Sequence, residues 1–222
     1  MSSYYRIADH IINIINNGNK LSTLSLLPSF VPFKCDNLLN EKILFKLTID
    51  QSVTLIESDK VHHIRAFDTG NGDTVVDRLD NGGYQFLIKN IQGENCVLLI
   101  TNKDFSDCRC RLYGTDNMQR FGLNNALMLV MAFAGSSKDT ILVHASLVRH
   151  NNYGYAFIAK SGTGKSTQVS LWLKYIPNCD LMNDDNPVIR LIDGIPYIYG
   201  SPWSGKTPCY RNVKAPLGAI TR

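Results

Sequence analysis

No stretch of about 18 apolar residues exists in this chain; the nearest approach, Ala126 to Ala134, is half that length, so a membrane-spanning helix is not expected. Blocks of like charge are missing too. The 23 Lys and Arg against 19 Asp and Glu leave only +4, and the basic residues are scattered, which gives only a weak electrostatic footprint for nucleic acid, so none is expected as a partner. The opening residues MSSYYRIADHIINIINNGNK lack the charged n-region, apolar h-region and small-residue cleavage site of a secretory signal. Six cysteines (Cys35, Cys96, Cys108, Cys110, Cys179, Cys209) fall at irregular spacings rather than in a disulfide framework. Reduced thiols in the cytoplasm are the expectation. Cys108-Arg109-Cys110 supplies half of a zinc site at most, and strand or turn cysteines are the favoured reading. Neighbouring His62 and His63 point to opposite faces if they lie on a strand, so they do not readily share one ion.

What is present is enough apolar matter for a packed core: 44% hydrophobic content over 222 residues, which suits one large or two small domains. The division expected is 1–135 and 136–222. Ile7, Ile11, Ile14 and Ile15 at helical spacing predict a short amphipathic helix before the Asn16-Asn17-Gly18 stop. From Lys42 to Cys110, short apolar runs broken by Gly and Asn predict a mainly antiparallel sheet, with hairpin turns at Thr69–Asp73, Asn81–Gly83 and Gln92–Glu94. An edge strand there could pair with an extended peptide. Met118, Phe121, Leu127, Val130, Met131 and Phe133 predict a long helix over 117–134, closed by Gly135. A strand follows at about 140–149, then a turn at 151–154 and a second strand at 155–159. A helix with Val169, Leu171, Trp172, Leu173 and Ile176 as apolar positions comes next, stopping at Pro177. Cys179 to Asn183 reads as a return strand, and Asp193-Gly194 as the tip of a hairpin.

The segment Ala159-Lys160-Ser161-Gly162-Thr163-Gly164-Lys165-Ser166 matches GxxxxGK[ST] at every position but the first, where Ala stands for Gly. Each part has a physical task. Gly162 and Gly164 let the backbone curl so that successive amides point inward; Lys165 reaches the β and γ phosphates; Ser166 ligates Mg²⁺. A helix starting there adds its positive end. The nucleotide-binding set is therefore Ala159, Lys160, Ser161, Gly162, Thr163, Gly164, Lys165, Ser166 and Thr167, with ATP and Mg²⁺ as the expected cofactors. An acidic partner for the metal is needed at the end of a neighbouring strand, and Asp184 and Asp185 come nineteen and twenty residues after Lys165, enough for a helix and a return strand. Two adjacent carboxylates raise one another's proton affinity, which helps one act as a general base.

With His144 in Val-His-Ala-Ser, the SGTGKST loop at 161–167 and the Asp184-Asp185 doublet in this order, residues 141–222 resemble the HPr kinase and phosphoenolpyruvate carboxykinase superfamily of P-loop proteins. The resemblance implies an α/β class, α+β overall: a strand-rich amino-terminal region followed by a P-loop core, incomplete at its carboxyl end because the chain stops at 219–222 inside what reads as a strand. It also implies that Asp184 is the base, that Asp185 and Ser166 hold Mg²⁺, and that His144 lies near the transferred phosphate; Asp184, His144 and Lys165 form the catalytic set. Lys206 and Arg211, in the Gly200–Asn212 segment, are phosphate-contact candidates, with surface charges the even alternative. The leading function is a kinase moving the γ-phosphoryl of ATP to a serine hydroxyl of a protein or peptide. The alternatives are carboxykinase-like decarboxylation, disfavoured by length, and a non-catalytic nucleotide-binding regulator.

Overall fold

The computed structural model describes residues 1–36, 41–68, 71–160, 162–205 and 207–222. Strands hold 46% of the residues and helices 21%, in two large mixed sheets. The protein is therefore mostly β, and the α/β class expected from the strand-loop-helix motif is corrected. That motif exists, but antiparallel hairpins surround it where an α/β core would have alternating helices and parallel strands. The chain forms two compact units, one of Met1–Tyr5, Ile11–Pro28 and Cys35–Ala134, the other of Arg6–His10, Ser29–Lys34 and Gly135–Arg222.

The first sheet begins with β1 (Ser2–Ile7) and β2 (His10–Asn17), where the isoleucine spacing predicted a helix. Ala8 and Asp9 both take positive φ, 49° and 60°, and so make the two-residue turn between these strands. Ile7, Ile11, Ile12 and Ile14 are all buried, and a run of β-branched residues covered on both faces is a strand signal that period counting misses. A one-turn helix α1 (Thr23–Leu26), capped by Ser22 through its hydroxyl, leads to β3 (Lys34–Cys35) and β4 (Ile43–Asp50). β5 (Val61–Asp68), β6 (Asp73–Leu79), β7 (Tyr84–Lys89), β8 (Asn95–Thr101) and β9 (Asp107–Leu112) complete a nine-stranded order β3-β1-β2-β4-β9-β8-β7-β6-β5. β5 to β9 pair antiparallel as a meander, but β4 runs parallel to both β2 and β9, so the sheet is mixed rather than mainly antiparallel. Gly82 and Gly93, at φ 83° and 78°, form the turns around 81–83 and 92–94. In the third expected turn, Thr69 and Gly70 lie outside the described residues.

Helix α2 (Asp116–Ser136) passes through Gly135 instead of ending there. At Gly135 the helix passes close to Thr140: a Cβ there would stand 3.3 Å from that side chain, a tight contact. Further up, a Cβ on Gly122 would sit 2.9 Å from the Cys96 backbone, so only glycine lets this helix lie against β8. Cys108 and Cys110 are buried on one face of β9, and burial pushes both thiols well above the ordinary range. His62 and His63 separate, as strand geometry requires, to Asp80 and Asp77 at 3.2 and 2.9 Å.

The second unit holds β10 (Thr140–Leu142), β11 (Ala145–His150), β12 (Tyr153–Ile158), helix α3 (Lys165–Tyr175), β13 (Cys179–Asp185), β14 (Val188–Ile192), β15 (Ile195–Tyr199) and β16 (Lys214–Thr221), in the sheet order β10-β14-β15-β16-β12-β11-β13. Asn151-Asn152 and Asp193-Gly194 both have two consecutive positive φ angles, which makes them tight hairpin tips. One face of this sheet buries Leu147, Met182 and Ile198 completely, each contributing about 1.5–3 kcal/mol of apolar burial. The other packs Val148 and Phe157 under Val169 of α3. Leu171 and Leu173, expected to face the core, remain 45% and 41% exposed: three consecutive helix positions span 200° of arc, and Trp172 takes the inward direction.

Strand direction sets up the site. β11 is antiparallel to β12 on one side and to β13 on the other, so β12 and β13 run the same way. The loop after β12, the carboxyl end of β13 and the amino end of β11 consequently share one edge of the sheet.

Candidate phosphate-binding and acidic site

The loop leaves β12 at Ala159 and enters α3 at Lys165. Gly162 and Gly164 take φ of 83° and 100°, a left-handed conformation disfavoured for any residue with a Cβ. The backbone amide and hydroxyl of Thr163 both donate to the carbonyl of Lys160, at 3.3 and 2.7 Å, closing the loop on itself. Lys165 Nζ donates to the carbonyls of Ala159 and Lys160 at 2.8 and 3.4 Å. Its charge thus sits across the mouth of the loop, held by acceptors that an incoming anion can replace. Ser161 lies outside the described residues.

Asp184 is buried, yet its Oδ1 accepts two hydroxyl hydrogen bonds: one from Ser146 of β11 at 2.7 Å, one from Ser166 of α3 at 3.3 Å. The loop and the doublet are therefore joined through a single oxygen. The resemblance pairs Ser166 with Asp185, whereas the hydroxyl reaches Asp184. Asp185 points elsewhere: its Oδ1 lies 3.3 Å from Nε2 of His144, and its Oδ2 accepts from Asn186 at 2.8 Å. Burial raises the Asp185 carboxyl above its ordinary value and neighbouring Asp184 adds to that, while His144 and Lys165 pull the other way.

Sequence reasoning missed the clamp behind the doublet. The Asn183 amide nitrogen donates to the Ser201 carbonyl and hydroxyl and to the Trp203 carbonyl, at 3.3, 3.2 and 3.1 Å. Gly205 donates its amide to the Asp184 carbonyl at 2.8 Å. A Cβ on Gly205 would stand 2.7 Å from that same oxygen, so the segment lies flat on the doublet because residue 205 is glycine. Trp203 is buried and meets Phe30 edge-on at 5.7 Å. Ser146 was also overlooked: it is buried on β11, while His144 stands exposed just before that strand begins.

Arg211 is engaged away from the loop. With Arg149 it grips Asp180 at the start of β13: Arg149 is bidentate at 2.9 Å, and Arg211 donates at 2.5 Å to the same carboxylate and also to the Leu181 carbonyl. Burial works to raise Asp180, but the two guanidinium groups outweigh it and hold the carboxyl below its usual range. Four residues of strand, about 13 Å, separate Asp180 from Asp184. Lys206 lies outside the described residues.

Among the described residues no group of three or more His, Cys, Asp or Glu side chains is arranged to hold a metal. A cation between Ser166 and Asp184 would have two oxygen donors from the protein and complete its shell from phosphate and water, an arrangement that suits Mg²⁺. No described helix is long and apolar enough to cross a membrane. No protein-family model matches the chain, and no curated protein sequence matches it.

Proposed function

We propose that the second unit binds a nucleoside triphosphate, with ATP as the reference ligand, and transfers its γ-phosphoryl to a hydroxyl acceptor, a serine of a protein or peptide being the leading candidate. The observation that carries this reading is the meeting of Ser166 and Asp184 at one oxygen, with the His144-Asp185 pair beside it. A turn with no role in binding has no need of a buried carboxylate under a helix N-terminus.

In this reading Ser166 and Asp184 would hold Mg²⁺, which would screen the phosphate charge during transfer. Ser146 keeps Asp184 turned toward Ser166 by its hydrogen bond of 2.7 Å. Lys165 leaves the two loop carbonyls and neutralises the β and γ phosphates. Asp185 is the base, because it is not engaged by Ser166 and its raised affinity for protons suits proton transfer. The acceptor oxygen bonds to the γ phosphorus, its proton passes to Asp185, and the bond to the β,γ-bridging oxygen breaks to release the diphosphate. His144 orients Asp185 and stabilises its charged form before it takes the proton.

The test is to follow loss of γ-phosphate from radiolabelled ATP with a serine-peptide library, for the wild type and Asp185→Asn. Transfer by wild type and a loss of about 10²–10⁴ in rate for the variant are expected. Stoichiometric ATP binding with no phosphoryl transfer to any acceptor would replace the kinase reading by a regulator that only binds nucleotide.

A further inference from the structure

A cavity of about 730 Å³, in the range that encloses a small organic ligand, opens on the phosphate loop itself, whose Ala159, Lys160, Thr163 and Gly164 line it together with Thr221 and Arg222. Lys165, Gln168 and Trp172 line it from α3. Their spacing of three and then four residues puts them on one stripe of the helix, so the cavity runs from the loop for about 10 Å along the axis. Phe157 of β12 forms its apolar wall with Trp172, the two rings meeting edge to face at 5.4 Å and 74°. His144, Asp184 and Asp185 do not line it.

That division of residues assigns an occupant. A triphosphate in the loop has a reacting end, which must meet the carboxylates, and a nucleoside end, which must leave in another direction. An acceptor hydroxyl has to reach Asp185 and so has no use for a cavity that excludes it. An aromatic wall, by contrast, suits the planar face of a base. We propose that this cavity receives the base and ribose of the nucleotide, with Trp172 and Phe157 as the wall against which the base packs. This inference rests on the reading of the loop as a triphosphate site.

The experiment compares MgATP with magnesium tripolyphosphate, which carries the phosphates without a nucleoside, by calorimetry on the whole chain. Wild type should bind ATP about tenfold or more tightly than tripolyphosphate. Trp172→Ala should remove most of that difference and leave tripolyphosphate unchanged. Because Trp172 also packs on Tyr155 and Phe157, an independent variant is needed, and Gln168→Trp fills the cavity from an exposed position. It should block ATP while retaining tripolyphosphate. Equal binding of both ligands to wild type, or full ATP affinity in Gln168→Trp, would overturn the assignment while leaving the phosphate loop intact; failure of both ligands to bind wild type would remove the loop reading itself.

Discussion

Asp184 and Asp185 differ by one position in sequence and entirely in surroundings, and their roles should separate accordingly. Asp184 receives two hydroxyls and is buried; Asp185 faces a histidine. Asp184→Asn should weaken Mg²⁺ binding, read as a rise in the Mg²⁺ concentration needed for half-maximal ATP affinity. Asp185→Asn should leave that concentration unchanged and lower the transfer rate. The same result for both variants would erase the distinction. The raised Asp185 carboxyl also has a consequence for stability, whose sign follows from linkage: a carboxyl that holds its proton more tightly when folded loses stability as pH rises from the unfolded value of about 3.8 through the folded one. Asp185→Asn should therefore melt at a higher temperature than wild type at pH 7, with the gap closing in acid below that window. A gap that persists below pH 3.8 would show that the charge of Asp185 is not its source.

At the scale of elements, close approaches decide where general preferences fail. Helix propensity says that Gly122→Ala in α2 should stabilise by about 1 kcal/mol, but the added methyl would meet the Cys96 backbone at 2.9 Å. Sterics should win, for a net loss of about 1–3 kcal/mol in denaturant unfolding; a stabilised variant would contradict the packing described. The β1–β2 turn offers a titration. His10 is buried, its Nε2 at 2.8 Å from the Thr140 hydroxyl, and desolvation together with nearby Arg190 lowers its pKa to about 4. Since that hydroxyl itself donates to the Lys138 carbonyl, the imidazole nitrogen must be the donor. A histidine depressed from 6.5 to about 4 when folded costs stability as pH falls through that interval. The melting temperature should drop between pH 6.5 and 4, and His10→Gln should flatten that drop. These elements also show what was readable in the chain. Glycine and asparagine tips were legible because a positive φ needs particular residues, as at Asp193-Gly194. The Ile7–Ile15 strands were not, since isoleucines buried on both faces carry no alternation and their chance spacing imitates a helix.

For the whole molecule, the strand-loop-helix phrase was visible at 155–176, but the sheet around it was not. Order and direction of strands depend on pairings between residues far apart, such as β12 with β16, which no local pattern encodes. The α/β expectation failed at this scale, because a glycine-rich strand-loop-helix turn is a local device and different sheets can carry it. The candidate site was legible in part for the same reason. Gly162, Gly164, Lys165 and Ser166 stand in one motif, and the doublet follows at a distance set by one helix and one strand. Ser146 and the Asn183-Ser201-Gly205 clamp come from three other segments and become visible only once β11, β13 and the 200–205 segment are brought together.

All of these roles depend on the loop holding phosphate, and Lys165 is the residue whose charge that requires. Calorimetric titration of MgATP into wild type and Lys165→Ala tests it most directly. The account predicts saturable, one-to-one binding by wild type and a loss of about 10- to 100-fold in the variant, the weight of a charge-assisted hydrogen bond. Equal affinities, or no binding by wild type at all, would contradict it.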